Sequence, residues 1–235
     1  MGYKFFFENE NDALYFCNEI QKQTPKNDFA NIIAFEYINK KSIELVEKNK
    51  NNIAKIKDLS DINESFNSIC YFEIVGEDES IEEIAGKLME ISTNFNSNPD
   101  LAWAVSGYNE IEKTRAFRYC VPETINLFIE QSRHNDKRIT KLSTDMSLES
   151  TDFKYIVEYY RNKLKNQNID YCLFGHVLEN HLHINILPNN YDEYLKGIEI
   201  IRELALDIKN YNGKLVCENG IGKLKKEILK DIISQ

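Results

Sequence analysis

The sequence predicts an α+β fold in which two ferredoxin-like β-α-β-β-α-β units flank a central helix, with a largely antiparallel sheet and helices on one side of it. Short apolar and aromatic runs alternate with segments whose apolar residues recur at helical spacing. This order of strands and helices occurs twice, and one long amphipathic segment separates the two occurrences. We therefore expect a first half at 1–108, a central helix and linker at 109–139, and a second half at 140–235.

The first half begins with an aromatic, extended segment, Tyr3–Glu8, which predicts a strand. Ala13, Phe16 and Ile20 then recur at helical spacing and predict a helix. The other predicted elements of this half are, in chain order, a strand at 32–37, a short helix at 40–47, a mostly irregular segment at 49–65, a strand at 69–75, a helix at 80–95 and a strand at 101–105.

The central segment, Asn109–Gln131, has the apolar spacing of one long helix. Pro122 lies in its middle and has no N–H to donate, so we expect a kink there or a division into two helices. The second half then repeats the order, with a strand at 141–147, a helix at 151–166, strands at 171–176 and 181–187, a helix at 191–210, a strand at 214–217 and a closing helix at 222–233.

Composition limits the classes of partner and the cellular location. The net charge of −9 and the pI near 5.1 argue against nucleic acid, because phosphate binding needs a basic face. No apolar stretch approaches the roughly 20 residues of a membrane span. The five cysteines are spread out and include no Cys-x-x-Cys pair, so we expect reduced thiols in a cytoplasmic protein. The sequence leaves open whether the chain forms a homodimer.

The chemically most informative segment is Gly175–Asn185, which contains three of the four histidines. On the strand at 181–187, side chains alternate between two faces, so His181, His183 and Asn185 share one face. His176 ends the preceding strand, across a short connection, and Glu218 ends another predicted strand. Two imidazoles and a carboxylate are typical ligands of zinc and similar divalent metals. The alternative is that these histidines lie on a solvated face of the sheet.

A second string, Cys217–Lys225, contains Gly220-Ile221-Gly222 just before the closing helix. It lacks the full Gly-x-Gly-x-x-Gly of a phosphate-binding loop, and residue 225 is lysine. The glycines favour a tight turn from strand to helix, and they let another group approach the backbone closely.

The two strings together resemble the C-terminal domain of FAD-linked 2-hydroxy-acid dehydrogenases. That group contains D-lactate dehydrogenase, the glycolate oxidase flavin subunit and D-2-hydroxyglutarate dehydrogenase, and it has the vanillyl-alcohol-oxidase type of fold. The resemblance covers nearly the whole chain. Further similar segments are Phe6-Phe7-Glu8 with Asp12-Ala13-Leu14, Phe35-Glu36-Tyr37 with Ser42–Val46, Ala116–Glu123, which matches a Leu-Arg-x-x-x-Pro-Glu helix, and Lys141–Asp145, which matches a Lys-x-Ser-x-Asp strand.

The resemblance implies a role for particular residues of this sequence. It implies a divalent metal, often zinc, on His176, His183 and Glu218. It places Arg118 and Lys141 against the carboxylate of a small 2-hydroxy-acid substrate, where an arginine offers a bidentate fork and a lysine a point charge. Asn185, on the histidine face, is a further substrate-binding candidate. Asn219 and Gly220 are expected to face the flavin.

The implied reaction transfers a hydride from C2 of the substrate to FAD. FAD is expected to be held mainly by a flavin-binding domain that this chain lacks and that would act in cis or in trans. The isolated chain is therefore expected to be inactive.

One departure from the family pattern affects the catalytic base. The family has Glu-His where this chain has Glu218-Asn219, and an amide cannot take a proton near neutral pH. His181 stands where the family has asparagine, which makes Asn219 and His181 the two catalytic candidates. With Asn219 in place of the base, a non-catalytic binding or assembly module on the same duplicated scaffold remains the alternative function.

Overall fold

The computed structural model describes residues 1–24, 29, 31–149, 151–218 and 226. The predicted α+β class is confirmed: a large antiparallel sheet is combined with helices. The chain forms two units. Unit 1 consists of Met1–Thr124 and Phe174–Leu178, and unit 2 of Ile125–Leu173 and the described residues from Glu179 onward. Within the described part of the chain, no helix combines the length and the apolar character that crossing a bilayer requires.

Unit 1 has the strand order of a ferredoxin-like unit, β4-β1-β3-β2, followed by the last residues of β7. The strand pairings described within this unit are antiparallel. Its elements are β1 (Gly2–Phe7), α1 (Glu10–Gln23), β2 (Ile32–Asn39), α2 (Lys40–Asn49), β3 (Ser68–Ile74), α3 (Asp78–Asn94), β4 (Trp103–Val105) and the first part of α4 (Tyr108–Asn135), with short 3-10 turns at Lys50–Asn52 and Pro99–Leu101.

Helix α4 continues through Pro122 rather than dividing there. Proline removes one backbone hydrogen bond of a helix, and its ring crowds the preceding turn. The apolar side chains on both sides of it, Phe117, Val121 and Ile125, are each at most 2% exposed. Their burial stabilises the helical conformation around the proline. The division into two helices therefore does not occur.

A row of polar and aromatic residues crosses the sheet of unit 1. Lys4 on β1 is opposite both Trp103 and Tyr71, Tyr71 is opposite Glu36, and Glu36 is opposite His176. Directly opposed residues of antiparallel strands project to the same face. We call these five residues the polar row. Contacts of Arg118 with Glu36 and of Phe117 with Lys4 show that α4 lies over it.

Unit 2 contains the remaining elements: the end of α4, β5 (Leu142–Ser143), β6 (Met146–Ser147), α5 (Phe153–Lys165), β7 (Tyr171–His176) up to Leu173, β8 (His181–Ile186), α6 (Tyr191–Asp207) and a 3-10 turn at Ile208–Tyr211. Strand β8 pairs with β5 and β6 on one side. Leu187 N–H donates to Asp170 O at 2.8 Å beside β7, on its other side.

Several of these helices are capped by the side chain of the residue directly before their first residue. Asp152 accepts a hydrogen bond from the backbone N–H of Tyr155 at 2.8 Å, so α5 begins after this cap, two residues later than the predicted start at 151. Asparagines serve in the same way at three other helices, because their side-chain oxygen can accept from the free N–H groups of the first turn. These asparagines are Asn9, Asn39 and Asn190.

Two predicted strands of the second half differ in the structure. The strand expected at 141–147 is interrupted at Thr144 and Asp145, which leaves β5 and β6. The strand expected at 214–217 is reduced to a single bridge between Lys214 and Ser147. The N–H of Glu218 donates to the side chain of Asp145 instead of to a strand carbonyl, so the pairing does not continue. The closing helix expected at 222–233 lies outside the described residues, apart from residue 226.

Candidate metal and carboxylate site

Strand β8 of unit 2 carries two buried imidazoles. His181 is 3% exposed and His183 is 8% exposed, and all six residues of the strand are buried. The alternation predicted for β8 thus separates an apolar face from a polar face that is also buried. A solvated sheet face, the alternative for these histidines, does not fit this burial. Buried imidazoles need partners for both ring nitrogens.

Asp145 is the partner of His181. The carboxylate is 1% exposed, and its Oδ1 lies 2.8 Å from His181 Nε2. The same carboxylate accepts the backbone N–H of Glu218, at 3.1 Å and 3.2 Å to its two oxygens. An ionised carboxylate can only accept, so the Nε2 of His181 carries the hydrogen and donates it. In the neutral form of the ring, the lone pair is then on Nδ1.

The carboxylate of Glu218 lies in front of both imidazoles. Its Oε1 is 4.0 Å from His181 Nδ1, and its Oε2 is 3.8 Å from His183 Nε2. The two rings have their centroids 4.5 Å apart. His183 Nδ1 lies 3.4 Å from the carbonyl oxygen of Thr144, which can only accept, so the lone pair of His183 is on Nε2.

These three side chains form a donor set for a divalent cation. The ligand atoms of His181, His183 and Glu218 lie within 4.8 Å of one another. Two nitrogens and one oxygen suit zinc and similar ions, and orientation of a ligating histidine by a second group is usual in such sites. The residues present in unit 2 therefore fit a divalent metal. The side chains of Asp145 and Cys217 also lie within 4.8 Å of a ligand atom of His181.

The expected substrate-binding residues Asn185 and Lys141 belong to the same unit as this cluster. Asn185 is 2% exposed, and its Oδ1 has no hydrogen-bond partner among the described residues. A buried acceptor without a donor is rare in proteins and is usually completed by water or a ligand. Lys141 directly precedes β5, and loss of hydration lowers the pKa of its ammonium group. Ser143, two residues further on, is opposite Asn185.

In unit 1, His176 and Arg118 both contact the buried carboxylate of Glu36. His176 Nδ1 lies 2.7 Å from Glu36 Oε1, and one terminal nitrogen of the Arg118 guanidinium lies 2.8 Å from the same oxygen. Glu36 is 4% exposed. Arg118 thus already has a carboxylate partner from its own chain.

The structure brings some of the expected site residues together and leaves others untested. His183 and Glu218 meet with His181 in unit 2, whereas His176 and Arg118 belong to unit 1. The assignment of His176 to the metal and of Arg118 to the substrate stays a prediction. Asn219 and Gly220 lie outside the described residues, so their expected contacts with the base and the flavin stay predictions as well.

Two carboxylates that contact the candidate histidines escaped the sequence-based prediction. Asp145 is the last residue of the Lys-x-Ser-x-Asp string, and Glu36 is the only charged residue of an otherwise apolar strand segment, Phe35–Ile38. A lone carboxylate in such a position needs a buried partner. That signal was present, although it does not identify the partner.

Comparison with known proteins points in the direction of the resemblance. A protein-family model described as FAD linked oxidases, C-terminal domain, matches residues 5–235. A comparison with curated proteins gives no match.

Solved structures show a similar fold at low sequence identity. p-Cresol methylhydroxylase with substrate bound superposes with a TM-score of 0.53 at 8% identity, covering 86% of this chain and 43% of that one. 4-Ethylphenol oxidase from Gulosibacter chungangensis, in its isoeugenol complex, gives 0.50 at 13% identity, with 87% and 43% covered. Alkyldihydroxyacetonephosphate synthase gives 0.50 at 14% identity, with 98% and 41% covered. This chain therefore spans about two fifths of the length of these proteins.

Proposed function

The chain belongs to the family of FAD linked oxidases, C-terminal domain, and from this premise we propose that it is the substrate- and metal-binding part of a flavin-dependent 2-hydroxy-acid dehydrogenase. Its partner is then a flavin-binding domain, in cis or in trans, and its location the cytoplasm. The two phenol-oxidising enzymes of similar fold have substrates without the carboxylate that a 2-hydroxy acid carries. The choice of substrate class therefore rests on the site.

The observation that carries the proposal is the arrangement of His181, His183 and Glu218. Each imidazole directs its lone-pair nitrogen to within 4.0 Å of a different oxygen of the same carboxylate. Two imidazole nitrogens and a carboxylate at these distances would hold a cation such as zinc. The resemblance adds His176 as a further ligand.

When bound, FAD would supply the hydride acceptor for C2, and a divalent ion held by His181, His183 and Glu218 would supply the Lewis acid that lowers the pKa of the substrate hydroxyl group. The protein binds and orients the substrate. The ammonium group of Lys141 attracts the carboxylate, and the unpartnered Oδ1 of Asn185 accepts a hydrogen bond from a substrate donor. Asp145 holds the hydrogen of His181 on Nε2, so Nδ1 is presented to the metal; with its lone pair used there, His181 is a ligand in this proposal and not the base.

Zinc content is the direct test of the metal part. We expect elemental analysis and zinc titration to give one zinc per chain, and much weaker binding in His183→Ala and Glu218→Gln. His176→Ala tests the ligand that the resemblance adds. His134→Ala is the matched control, because His134 is the one histidine outside Gly175–Asn185 and is exposed on α4. Equal zinc in all variants would contradict the proposed metal site.

Substrate binding is tested with D-lactate on the zinc-loaded chain. We expect saturable binding at millimolar concentrations that Lys141→Gln weakens by about tenfold, since one charged contact contributes about 1.4 kcal/mol or more. Lys137→Gln is the control, because Lys137 is exposed in the linker after α4. Binding that does not respond to Lys141→Gln would exclude this lysine from the carboxylate site.

Asn219 favours the second candidate function, a non-catalytic binding or assembly module, since the family pattern has a histidine there. Asn219→His distinguishes the two. In a chain joined to a competent flavin domain, we expect this variant to raise turnover of a D-2-hydroxy acid at least about tenfold. Its pH profile should gain a limb near the imidazole pKa, roughly 6.5. Unchanged turnover and an unchanged profile would place the base elsewhere.

A further inference from the structure

Two buried carboxylates on the same face of the unit 1 sheet are paired with two arginines one turn apart on α4. Glu73 on β3 accepts from Arg115, with Arg115 Nε at 3.0 Å, and Glu36 on β2 accepts from Arg118 at 2.8 Å. Glu73 is opposite Ala34, two residues before Glu36, so both carboxylates project to the face that α4 covers. Each ion pair joins a buried glutamate of the sheet to an arginine of α4, but the further residue that contacts the glutamate differs between the two pairs.

The third partner of Glu73 is a tyrosine, and the third partner of Glu36 is a histidine. Tyr71 O–H donates to Glu73 at 2.7 Å. The described hydrogen-bond partners of Glu73 are therefore a residue of its own strand and an arginine of α4. His176 Nδ1 lies 2.7 Å from Glu36 Oε1, directly across the β2–β7 pair. Only the second pair therefore reaches a residue that the proposed function uses.

The contact with Glu36 determines the tautomer of His176. An ionised carboxylate has no hydrogen to donate, so Nδ1 of His176 carries the hydrogen and Nε2 has the lone pair. A metal-ligating histidine commonly donates its other N–H to a carboxylate, which fixes the ring and the tautomer. Arg118 compensates the charge of the buried carboxylate, which would otherwise be costly to hold at this position.

We propose that Glu36 and Arg118 are positioning residues. Glu36 orients the ring of His176 so that its Nε2 faces the metal, and Arg118 holds the carboxylate of Glu36 in place. The inference rests on the proposed role of His176 as a metal ligand. It gives Arg118 a different role from the substrate contact that the resemblance implies. The same arrangement occurs independently in unit 2, where buried Asp145 fixes the tautomer of His181.

The first test measures the tautomer of His176 in the metal-free chain. Nitrogen-15 NMR of the histidine rings, with His176→Ala to assign the signals, should show hydrogen on Nδ1 and none on Nε2 at pH 8. Glu36→Gln should abolish this preference, because an amide can donate as well as accept. Glu73→Gln is the matched control, since it makes the same substitution in the neighbouring arginine pair and should leave the His176 signals unchanged.

The second test measures zinc affinity of the same variants. Loss of such an orienting partner weakens metal binding by about 10–100-fold, so we expect this loss in Glu36→Gln and less than about threefold change in Glu73→Gln. Arg118→Lys should retain more of the affinity than Arg118→Gln, because it keeps the charge beside Glu36. If Glu36→Gln does not fold, the double variant Glu36→Gln/Arg118→Gln removes both buried charges and serves in its place.

The outcomes separate the two proposals. A chain that binds no zinc contradicts the proposed function, while the tautomer measurement still decides the role of Glu36. Zinc binding and a tautomer that are both unaffected by Glu36→Gln would refute the inference and leave the proposed function standing. Loss of D-lactate binding in Arg118→Gln at unchanged zinc affinity would also refute the inference, and it would support the substrate contact that the resemblance implies for Arg118.

Discussion

Lys4 in the polar row provides a quantitative test of the packing in unit 1. Its side chain is fully buried, and its ammonium nitrogen has no hydrogen-bond partner among the described residues. The nitrogen lies 4.1 Å from the ring centroid of Phe117 and 4.8 Å from that of Trp103. Burial lowers the pKa of Lys4 from 10.5 to about 7.

The lowered pKa fixes the sign of the pH dependence. Between pH 7 and pH 10.5 the unfolded chain binds a proton at Lys4 that the folded chain does not hold, so stability rises with pH in this range. With about 1.4 kcal/mol per pKa unit, burial of Lys4 costs about 4 kcal/mol at pH 7 and about 2 kcal/mol at pH 9. Attraction of the ammonium to the two rings favours the charged form, so these figures are upper limits.

Lys4→Met tests this reasoning, because methionine has a similar shape and no charge. We expect urea unfolding, followed by circular dichroism, to show the variant more stable than the wild type by about 2–4 kcal/mol at pH 7. The gain should fall by about half at pH 9. Lys113→Met is the matched control, because Lys113 is exposed on α4 and pairs with Glu110 at the surface.

The difference in unfolding free energy between Lys4→Met and the wild type should shrink from pH 7 to pH 9. A difference that stays constant would refute the lowered pKa of the buried amine. Destabilisation by Lys4→Met at pH 7 would show that the attraction to Phe117 and Trp103 exceeds the cost of burial. The Lys113→Met control should change stability by less than about 0.5 kcal/mol at both pH values.

Three further predictions concern unit 2 and the glycines. Gly197→Ala should destabilise the protein by about 1–3 kcal/mol in urea unfolding, because a Cβ there would lie 2.6 Å from Leu142 Cδ1. Gly86→Ala should stabilise the protein by about 0.5–1 kcal/mol, because a Cβ on that helix residue has nothing within 4 Å. Equal effects would contradict the packing of α6. Asp145→Asn should weaken zinc binding about 10–100-fold in calorimetric titration, and an unchanged affinity would exclude its orienting role. Cys217 should be the one thiol of the native chain that reacts with Ellman's reagent, because the other four cysteines are buried, and its rate should rise with pH because desolvation raises its pKa; a second reactive thiol would contradict that burial.

Local patterns in the sequence predicted the secondary structure well because they follow from burial. Strand β7 has the predicted bounds, and β8 differs from its predicted bounds at one end by one residue. Both carry short apolar runs bounded by turn residues. The polar face of β8 was predicted as well, since alternation places His181, His183 and Asn185 together. That this face is buried could not be read from alternation, because it depends on what packs against it.

The strand expected at 141–147 shows the limit of such patterns. Its composition is that of one strand, but Asp145 turns away from the ladder to bind His181 and the N–H of Glu218. A side chain that takes over backbone hydrogen bonds from a distant segment leaves no local signal. The same contact ends the pairing at Lys214, which explains why the last predicted strand is a single bridge.

The partners that complete the candidate site lie far away in sequence. Glu36 and His176 are separated by 140 positions, and Asp145 and His181 by 36. Each histidine could be identified from its own neighbourhood, but its carboxylate could not. If the carboxylates fix the tautomers, removing either one should reduce metal binding almost as much as removing its histidine, although neither carboxylate is an expected ligand. Comparing Glu36→Gln with His176→Ala, and Asp145→Asn with His181→Ala, therefore measures how much of the site is held by residues that its sequence motifs do not contain.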